Sequence, residues 1–333
     1  MISLNFTSKY KNVIKEARSL SQPALDLSEK MMRSVAENSP NGLRERITQT
    51  IVRPGKRLRS ILLFLLAQSN GKVENWERAA CAASSVEMLH LASLVHDDII
   101  DGSELRRGLK SMQSAFGNKI AVLAGDYMLA QSLVFVLKEE DRRIPGMLAN
   151  AASSLVAGEI LEIDLSKDNN VSFEDYMRIV EGKTASLLSC CAKSGAILAG
   201  YNDEIVEECG NLGLHFGIAF QIIDDILDYD IGAKNLGKKK FEDLQNGVMT
   251  LPMLLYFQKN PKEEMELLIK KATESRTANL IVEKLKKANC FDEAKSIARS
   301  HLTSATKVLE KLPKSSVNSL LKDFFESMAE REN

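Results

Sequence analysis

One carboxylate pattern, D-D-x-x-D, occurs twice in this chain, at residues 97–101 and 224–228, each time in an apolar segment. Residues four apart lie on one face of an α-helix, so Asp97 and Asp101 are expected to share a face. Two unit charges about 4 Å apart repel by roughly 4 kcal/mol at an effective dielectric near 20. A hard divalent cation would offset this cost. The repetition predicts a metal site between two opposing helices of one bundle.

The rest of the sequence predicts helix as well. Glycine and proline are scarce, aromatic residues make up only 6%, and no alternating strand pattern of useful length occurs. No linker or shift in composition divides the chain, so we predict one all-α, single-domain helical bundle over residues 1–333. The predicted helices lie near 6–20, 23–37, 41–53, 56–69, 74–102, 119–139, 143–165, 173–200, 203–231 and 250–258, with more beyond and a loop at 102–118.

Composition also excludes several classes of protein. The 44 basic and 45 acidic residues leave a net charge of -1, which gives no case for binding nucleic acid. Five cysteines without a C-x-x-C spacing argue against a disulfide framework or a zinc site and favour a reducing cytosol. The N-terminus lacks a signal-peptide pattern, and the apolar run 61–67 is too short to span a bilayer. We expect a soluble, cytoplasmic protein without stable membrane insertion.

Cationic residues accompany the carboxylates. Lys56 and Arg59 are three apart at the start of a predicted helix, where the positive end of the helix favours anions. His90 lies two helical turns before Asp97. Arginine suits bidentate contact with phosphate, and lysine supplies a point charge. Alone, each cation is typical of solvated surface; their occurrence beside two carboxylate clusters makes them candidates. The others are Arg106-Arg107, Lys183-Thr184 and Lys238 to Lys240.

Together these motifs resemble the trans-isoprenyl diphosphate synthases, the polyprenyl synthetase family. The resemblance runs from about Pro54 to Pro252. It comprises Gly55-Lys56-Arg57-x-Arg59, the first D-D-x-x-D with Arg106-Arg107-Gly108, Gly125-Asp126, Lys183-Thr184, Phe220-Gln221 before the second D-D-x-x-D, Leu236-Gly237-Lys238 and Thr250-Leu251-Pro252.

The resemblance implies a function. An allylic diphosphate ionises, isopentenyl diphosphate attacks the resulting cation, and a proton is lost. It also implies an isoprenoid-synthase-type bundle with a deep central cavity, both carboxylate clusters at its mouth, and a homodimer formed through a helical face.

The resemblance also implies residue roles. Asp97, Asp101 and Asp224 would hold Mg²⁺, with Asp98, Asp225 and Asp228 as additional ligands or as residues that contact the ligands. Catalysis would rest on Asp97, Asp101, Asp224, Lys183 and Arg106. The allylic diphosphate would be bound by Arg106, Lys183 and Lys238, and Thr184 and Gln221 would line the reacting end. Isopentenyl diphosphate would be bound by Lys56, Arg59, His90 and Arg107.

One loop departs from the family pattern. The family commonly reads G-K-x-x-G-x-D-L-x-x-G-K-x-T-L-P after the second cluster. Here Phe241 replaces a glycine and Val248 replaces a lysine. We expect these changes to affect diphosphate affinity or loop closure rather than the chemistry.

Small residues before the first cluster bear on product length. Family members that stop at the farnesyl chain commonly carry bulky aromatics one turn before the first aspartate, where this chain has Ala92 and Ser93. One helical turn is about 5.4 Å, close to one isoprene unit. We therefore expect a product longer than farnesyl, in the geranylgeranyl-to-polyprenyl range, with Leu89 as the next bulky residue. The alternative is that Ala92 and Ser93 simply pack against a neighbouring helix.

Two other functions stay open. A class I terpene cyclase would share one carboxylate motif but normally carries an Asn/Asp-Ser/Thr-Glu motif second. A non-catalytic regulatory subunit of a prenyl synthase would typically lose the carboxylate clusters, and both are present here.

Overall fold

The computed structural model describes residues 8–52, 55–71, 73, 75–106, 108–166, 171–229, 248–260, 269 and 275–329. Its first half is built from α-helices and one short hairpin, whose two strands have two residues each. The elements are α1 (Ser8–Glu37), α2 (Asn41–Ile51), α3 (Leu58–Gln68), α4 (Trp76–Ile100), β1 (Leu105–Arg106), β2 (Leu109–Lys110), α5 (Met112–Phe116), α6 (Asn118–Val136) and α7 (Arg143–Ser166).

The second half continues in the same way. Its elements are α8 (Phe173–Val180), a π-helical turn (Glu181–Ala185), α9 (Ser186–Leu198), α10 (Asp203–Leu227), α11 (Leu251–Phe257), α12 (Ser275–Lys287), α13 (Cys290–Leu309) and α14 (Ser316–Ala329). The all-α prediction is confirmed. The single domain over 1–333 and the deep central cavity stay predictions.

The two helices that carry the carboxylate clusters are each 25 residues long and begin in the same way. The Asn75 side chain accepts hydrogen bonds from two backbone N–H groups of the first turn of α4, and Asn202 caps α10 through Ile205 N–H. Acidic residues follow each cap, where the positive end of the helix stabilises them. The caps fix where each helix starts and thereby where each cluster lies along it.

The apolar core has two parts, and α4 contributes to both. The larger cluster joins α3, α9, α10 and α13 and includes Leu89, whereas the smaller one lies among α1, α2, α4 and α6 and includes Ala92. Helix α4 therefore presents different faces to two apolar regions.

Three local predictions are wrong. Pro23 lies inside the continuous helix α1 instead of starting a second helix. An internal proline costs about 3 kcal/mol, and the fully buried neighbours Ala17 and Ala24 show that packing holds the helix through it. The 102–118 segment contains an antiparallel hairpin, with Leu105 opposite Lys110. The third error, the start of α3, concerns the site and is described below.

Among the described residues, α6 and α7 are long and apolar enough to cross a membrane by length and composition. Only 39% and 33% of their most apolar stretches are buried. A helix of a soluble core or of a subunit interface passes the same test, so this property by itself assigns no membrane.

Candidate active site

Both carboxylate clusters lie at the C-terminal ends of long helices. Asp101 is the C-cap of α4 and its N–H donates to the Asp97 carbonyl at 2.8 Å; Asp228 is the C-cap of α10 and donates to the Asp224 carbonyl at 3.1 Å. Helical geometry thus continues through the last aspartate, and each pair keeps its common face. The C-terminal end of a helix carries partial negative charge. Carboxylates are therefore unfavourable there without added cations.

The pKa of Asp97 shows which charged groups surround its carboxyl. The pKa of this carboxyl is raised to about 7, mainly by burial and also by the charges of Glu159 and Asp101, while Lys183 and Arg106 oppose the rise. Its neighbours thus come from α7, the π-helical turn and the hairpin. The structure brings together four residues predicted from the sequence, with Glu159 added.

Lys183 lies between two acids of α7. Its Nζ is 2.7 Å from Glu159 Oε2 and also pairs with Glu162. Burial alone would lower the pKa of Lys183, but the attraction of Glu162 and Glu159 outweighs it and the pKa lies above its ordinary value. The ammonium is therefore charged before any substrate binds.

Close backbone contact makes this pairing possible. A Cβ on Gly182 would lie 2.7 Å from the Ser154 carbonyl oxygen, and a Cβ on Gly158 would lie 2.9 Å from the backbone nitrogen of Lys183. Both distances are shorter than real Cβ atoms tolerate. Glycine at both positions lets α7 and the π-helical turn pack backbone to backbone, which brings Lys183 within reach of α7.

Asp225 orients the residues predicted to line the reacting end. Its carboxylate accepts hydrogen bonds from Tyr176 Oη (2.8 Å), Gln221 Nε2 (2.9 Å) and Leu251 N (3.2 Å). Gln221 Oε1 in turn accepts from Thr184 Oγ1 at 2.8 Å. Burial raises the pKa of Asp225 to about 6, although these three donors oppose the rise. Asp225 therefore holds other site residues in place through these three hydrogen bonds.

Asp98 has a comparable position in the first cluster. It is 2% exposed, and its Oδ1 accepts from Arg106 Nε at 2.5 Å. Gln113 Nε2 donates to the carbonyl oxygens of Asp98 and Ser103. These contacts fix the hairpin that carries Arg106 against the end of α4.

The cationic turn before α3 differs from its prediction. Helix α3 begins at Leu58, and its N-cap Arg57 has a left-handed backbone (φ 53, ψ 38). Lys56 therefore precedes the helix and does not share a helical face with Arg59. A non-glycine residue in this conformation costs about 1–2 kcal/mol. Burial lowers the pKa of Arg59, while Glu87, Cys191 and Asp224 raise it, so Arg59 lies near the second cluster.

The remaining predicted residues are distributed as follows. His90 and Ser93 are half-buried on α4, Ala92 and Leu89 are buried, and Asp228 is exposed. Lys56 Nζ lies 3.4 Å from the hydroxyl of Tyr10 and over its ring. Arg107, Lys238 and Phe241 lie outside the described residues.

The donor set fits a hard divalent cation that arrives with a phosphate. Among the described residues, no three His, Cys, Asp or Glu side chains form a metal site on their own. Mg²⁺ is usually held by one or two carboxylates together with substrate phosphates. Around Asp97 the described acids outnumber the cations, since Asp98, Asp101, Glu159 and Glu162 join it against Lys183 and Arg106.

Sequence reasoning missed Glu159, Glu162, Glu87 and Tyr176. The signal for the first two was their spacing of three within an apolar helix, which puts both on one face. Glu87 offered a weaker signal as the one acid in the apolar segment 79–96. No local pattern connected Tyr176 to Asp225, because they are 49 residues apart.

A family model described as polyprenyl synthetase matches residues 41–287. Solanesyl-diphosphate synthase 2 of rice (Oryza sativa subsp. japonica), chloroplastic, is 34% identical over 273 residues, which cover 81% of this chain and 68% of that protein. The chain thus spans about two thirds of the length of this relative.

Solved structures are similar over nearly the whole chain. A decaprenyl diphosphate synthase from Rhodobacter capsulatus has a TM-score of 0.85 at 26% identity, covering 96% of this chain and 99% of that one. A polyprenyl synthase from Caulobacter crescentus CB15, complexed with calcium and isoprenyl diphosphate, has a TM-score of 0.86 at 26% identity, covering 95% and 97%.

Replacing Glu159 should change the pH dependence of cation binding. Protonated Asp97 cannot bind a cation, so the affinity for Mg²⁺ with inorganic diphosphate should fall as the pH drops below about 7. Glu159→Gln removes a charge that raises the pKa of Asp97. The midpoint of the fall in affinity with decreasing pH should therefore move to lower pH. Isothermal titration calorimetry across the pH range measures both midpoints.

Glu162→Gln is the matched control for this replacement. It also removes one partner of Lys183, but Glu162 is not among the main charges that raise the pKa of Asp97. Its midpoint should stay closer to that of the unmodified protein. Equal midpoints for Glu159→Gln and the unmodified protein would contradict the electrostatic assignment.

Proposed function

The chain belongs to the polyprenyl synthetase family, and we propose that it is a trans-prenyltransferase that condenses isopentenyl diphosphate with an allylic diphosphate. The observation that carries the proposal is the pair of carboxylate-bearing helix ends flanked by two separate sets of cations. The relatives named for solanesyl and decaprenyl products support a product longer than farnesyl. The product would then be a long trans-polyprenyl diphosphate.

The two sets of cations would divide the two diphosphates between them. Arg106, Lys183 and Lys238 would bind the allylic diphosphate, which must leave. Lys56, Arg59, His90 and Arg107 would bind the diphosphate of isopentenyl diphosphate, which stays in the product. Lys183 contacts α7, whereas Arg59 lies on α3 and is influenced by Glu87 of α4. These different surroundings support two separate subsites.

Asp97, Asp101 and Asp224 would hold Mg²⁺ against the allylic diphosphate. When bound, the metal would neutralise negative charge that develops on the leaving group. The calcium and isoprenyl diphosphate named for the Caulobacter relative support the use of a divalent cation together with a diphosphate. The oxygen-only donor set favours Mg²⁺ over softer metals.

The protein side chains would orient and stabilise the reactants. Lys183 is a preformed positive charge that would contact the developing diphosphate anion. Thr184 and Gln221, hydrogen-bonded to each other, would line the space beside the allylic cation. The C–O bond to the allylic diphosphate breaks, a C–C bond forms to isopentenyl diphosphate, and the released diphosphate would accept the proton.

The path of the growing chain would follow α4. Ser93 lies one turn before Asp97 on nearly the same face and is half-buried, so it would border the tail directly. Ala92 is 2% exposed and belongs to the smaller apolar cluster with Met88 and Ala124, whereas Leu89 belongs to the larger one. A tail that separates α4 from α6 would pass Ala92, and a tail that follows the larger cluster would pass Ser93 and Leu89.

We further propose a homodimer formed through α6 and α7. Apolar residues along these consecutive helices are between 44% and 63% exposed, namely Leu123, Leu133 and Val134 on α6, its C-cap residue Leu137, and Val156 and Ile160 on α7. Several are separated by three or four residues, the spacing of a helix-packing stripe. An exposed apolar stripe of this kind is typical of a protein interface. Burial in a dimer would also account for two helices that are apolar enough to resemble membrane spans.

We propose that the enzyme is cytosolic and folds as one isoprenoid-synthase-like domain. All five cysteines are buried and free, which a reducing compartment would preserve. Imaging of a tagged chain in its source cell would check the compartment.

Removing either metal-binding aspartate should abolish turnover. Asp97→Ala and Asp224→Ala each remove a carboxylate that would hold Mg²⁺, and loss of such charge stabilisation should lower kcat by about 100-fold or more. The assay incubates the enzyme with Mg²⁺, isopentenyl diphosphate and allylic primers of increasing length, and sizes the products. Circular dichroism checks that both variants retain the helical fold.

The same assay separates the proposal from its alternatives. A terpene cyclase would consume the allylic diphosphate without consuming isopentenyl diphosphate. A regulatory subunit would show no Mg²⁺-dependent turnover alone. Full activity in either alanine variant would refute the metal assignment.

A bulky residue on the tail path should shorten the product. Ala92→Phe and Ser93→Phe each add an aromatic ring about one turn, or roughly 5.4 Å, before Asp97. The variant that shortens the product by one or more isoprene units identifies the side of α4 along which the tail passes. Thermal unfolding gives the control, since a lower Tm with an unchanged product in both variants would mean that these residues only pack against neighbouring helices.

A charge in the exposed stripe should dissociate the dimer. Combining Val134→Glu with Ile160→Glu puts like charges into the proposed interface, so we expect a monomer by light scattering coupled to size exclusion. Leu20→Glu is the matched control, because Leu20 is an apolar residue of α1 with 41% exposure outside the stripe. A double variant that stays dimeric, or an unmodified protein that is monomeric, would refute this interface.

A further inference from the structure

The turn between Lys56 and the start of α3, where Arg59 lies, has a backbone conformation that its own sequence does not favour. Arg57 lies between them with a positive φ of 53, although it is not glycine. Among the described residues only Asn289 shares this feature, and asparagine tolerates it well. Contacts elsewhere in the protein must therefore hold Arg57 in place.

The side chain of Arg57 supplies those contacts. Its Nη1 donates to Glu87 Oε2 at 2.9 Å and its Nη2 donates to the Ile51 carbonyl at 2.8 Å. The guanidinium thereby connects the end of α2 to the middle of α4. The second oxygen of Glu87 accepts from Ser60 Oγ at 2.8 Å, in the first turn of α3. One buried carboxylate thus fixes the turn from both sides.

Glu87 also acts on the charge of Arg59. Burial lowers the pKa of Arg59, and Glu87 has the largest effect among the charges that raise it. Glu87 is itself only 3% exposed, so its charge is little screened by solvent. It therefore favours a charged guanidinium where the substrate diphosphate would bind.

We propose that Glu87 is a positioning residue for the isopentenyl diphosphate subsite, acting through Arg57 and Arg59 without touching substrate. This inference rests on the proposed function. A purely structural ion pair would affect stability and both substrates alike. A positioning role concerns one substrate, because Lys56 and Arg59 belong to one subsite, whereas Lys183 is held by α7.

The test is a comparison of two ion pairs that each contain a buried glutamate. Glu87→Gln removes the charge at nearly the same volume. Glu139→Gln does the same to the pair between Arg78 and Glu139, which involves the N-terminal turn of α4 instead of its middle. Glu87→Gln should raise the KM for isopentenyl diphosphate by about tenfold or more, the loss typical of one charge-assisted contact. The KM for the allylic diphosphate and kcat at saturation should stay within about twofold.

Glu139→Gln should lower Tm and leave the ratio of the two KM values unchanged. Ser60→Ala removes only the hydrogen bond to the other oxygen of Glu87 and keeps its ion pair with Arg57, so it should raise the KM for isopentenyl diphosphate less than Glu87→Gln does. If Glu87→Gln fails to fold, Arg57→Lys takes its place, because a lysine cannot reach Glu87 and the Ile51 carbonyl together. Arg57→Lys should give the same selective rise.

The outcomes separate this inference from the proposed function. An unmodified protein that does not consume isopentenyl diphosphate refutes the proposed function. An active unmodified enzyme whose KM ratio is unchanged by Glu87→Gln and by Arg57→Lys, or shifted as much by Glu139→Gln, overturns the positioning role alone.

Discussion

Electrostatic repulsion between carboxylates at two helix ends governs the chemistry of this protein. Asp101 and Asp228 cap α4 and α10 at the ends where the helices are already partially negative. Burial and the neighbouring Glu159 push the pKa of Asp97 to about 7. Such a site is unfavourable until cations reach it. A cation bound together with a diphosphate would relieve the repulsion, which would couple the affinity for the metal to the affinity for the diphosphate.

Acidic side chains hold the cations of the site in place. Glu159 and Glu162 fix Lys183, Asp98 fixes Arg106, and Glu87 fixes Arg57. Each positive group is therefore oriented before a diphosphate arrives, which reduces the entropy lost on binding. The two glutamates also raise the pKa of Lys183 and so keep it charged in a partly desolvated region. Preorganised charge of this kind is what stabilisation of a leaving group requires.

Local sequence patterns predicted the helices and the carboxylate faces, because periodicity and a spacing of four residues are properties of a single helix. They failed where tertiary contacts decide. Pro23 indicated a break in α1, but packing keeps the helix continuous. No residue around Arg57 in the sequence indicates its left-handed backbone. The pairing of Lys183 with α7 depends on glycines that meet from different helices. The resemblance to the family supplied roles for cations that composition alone would have assigned to the solvated surface.

The π-helical turn at Glu181–Ala185 joins α8 to α9 within one continuous helical rod. A turn of this kind holds one residue more than an ordinary helical turn, so the two halves of the rod are out of phase by about 100°. Lys183 and Thr184 lie in that extra turn, one directed toward α7 and the other toward α10. Deleting one residue here would restore a regular helix and rotate one half of the rod against the other. The length of this segment is therefore constrained as well as its sequence, since the deletion would spare the helix and still separate the two residues from their partners.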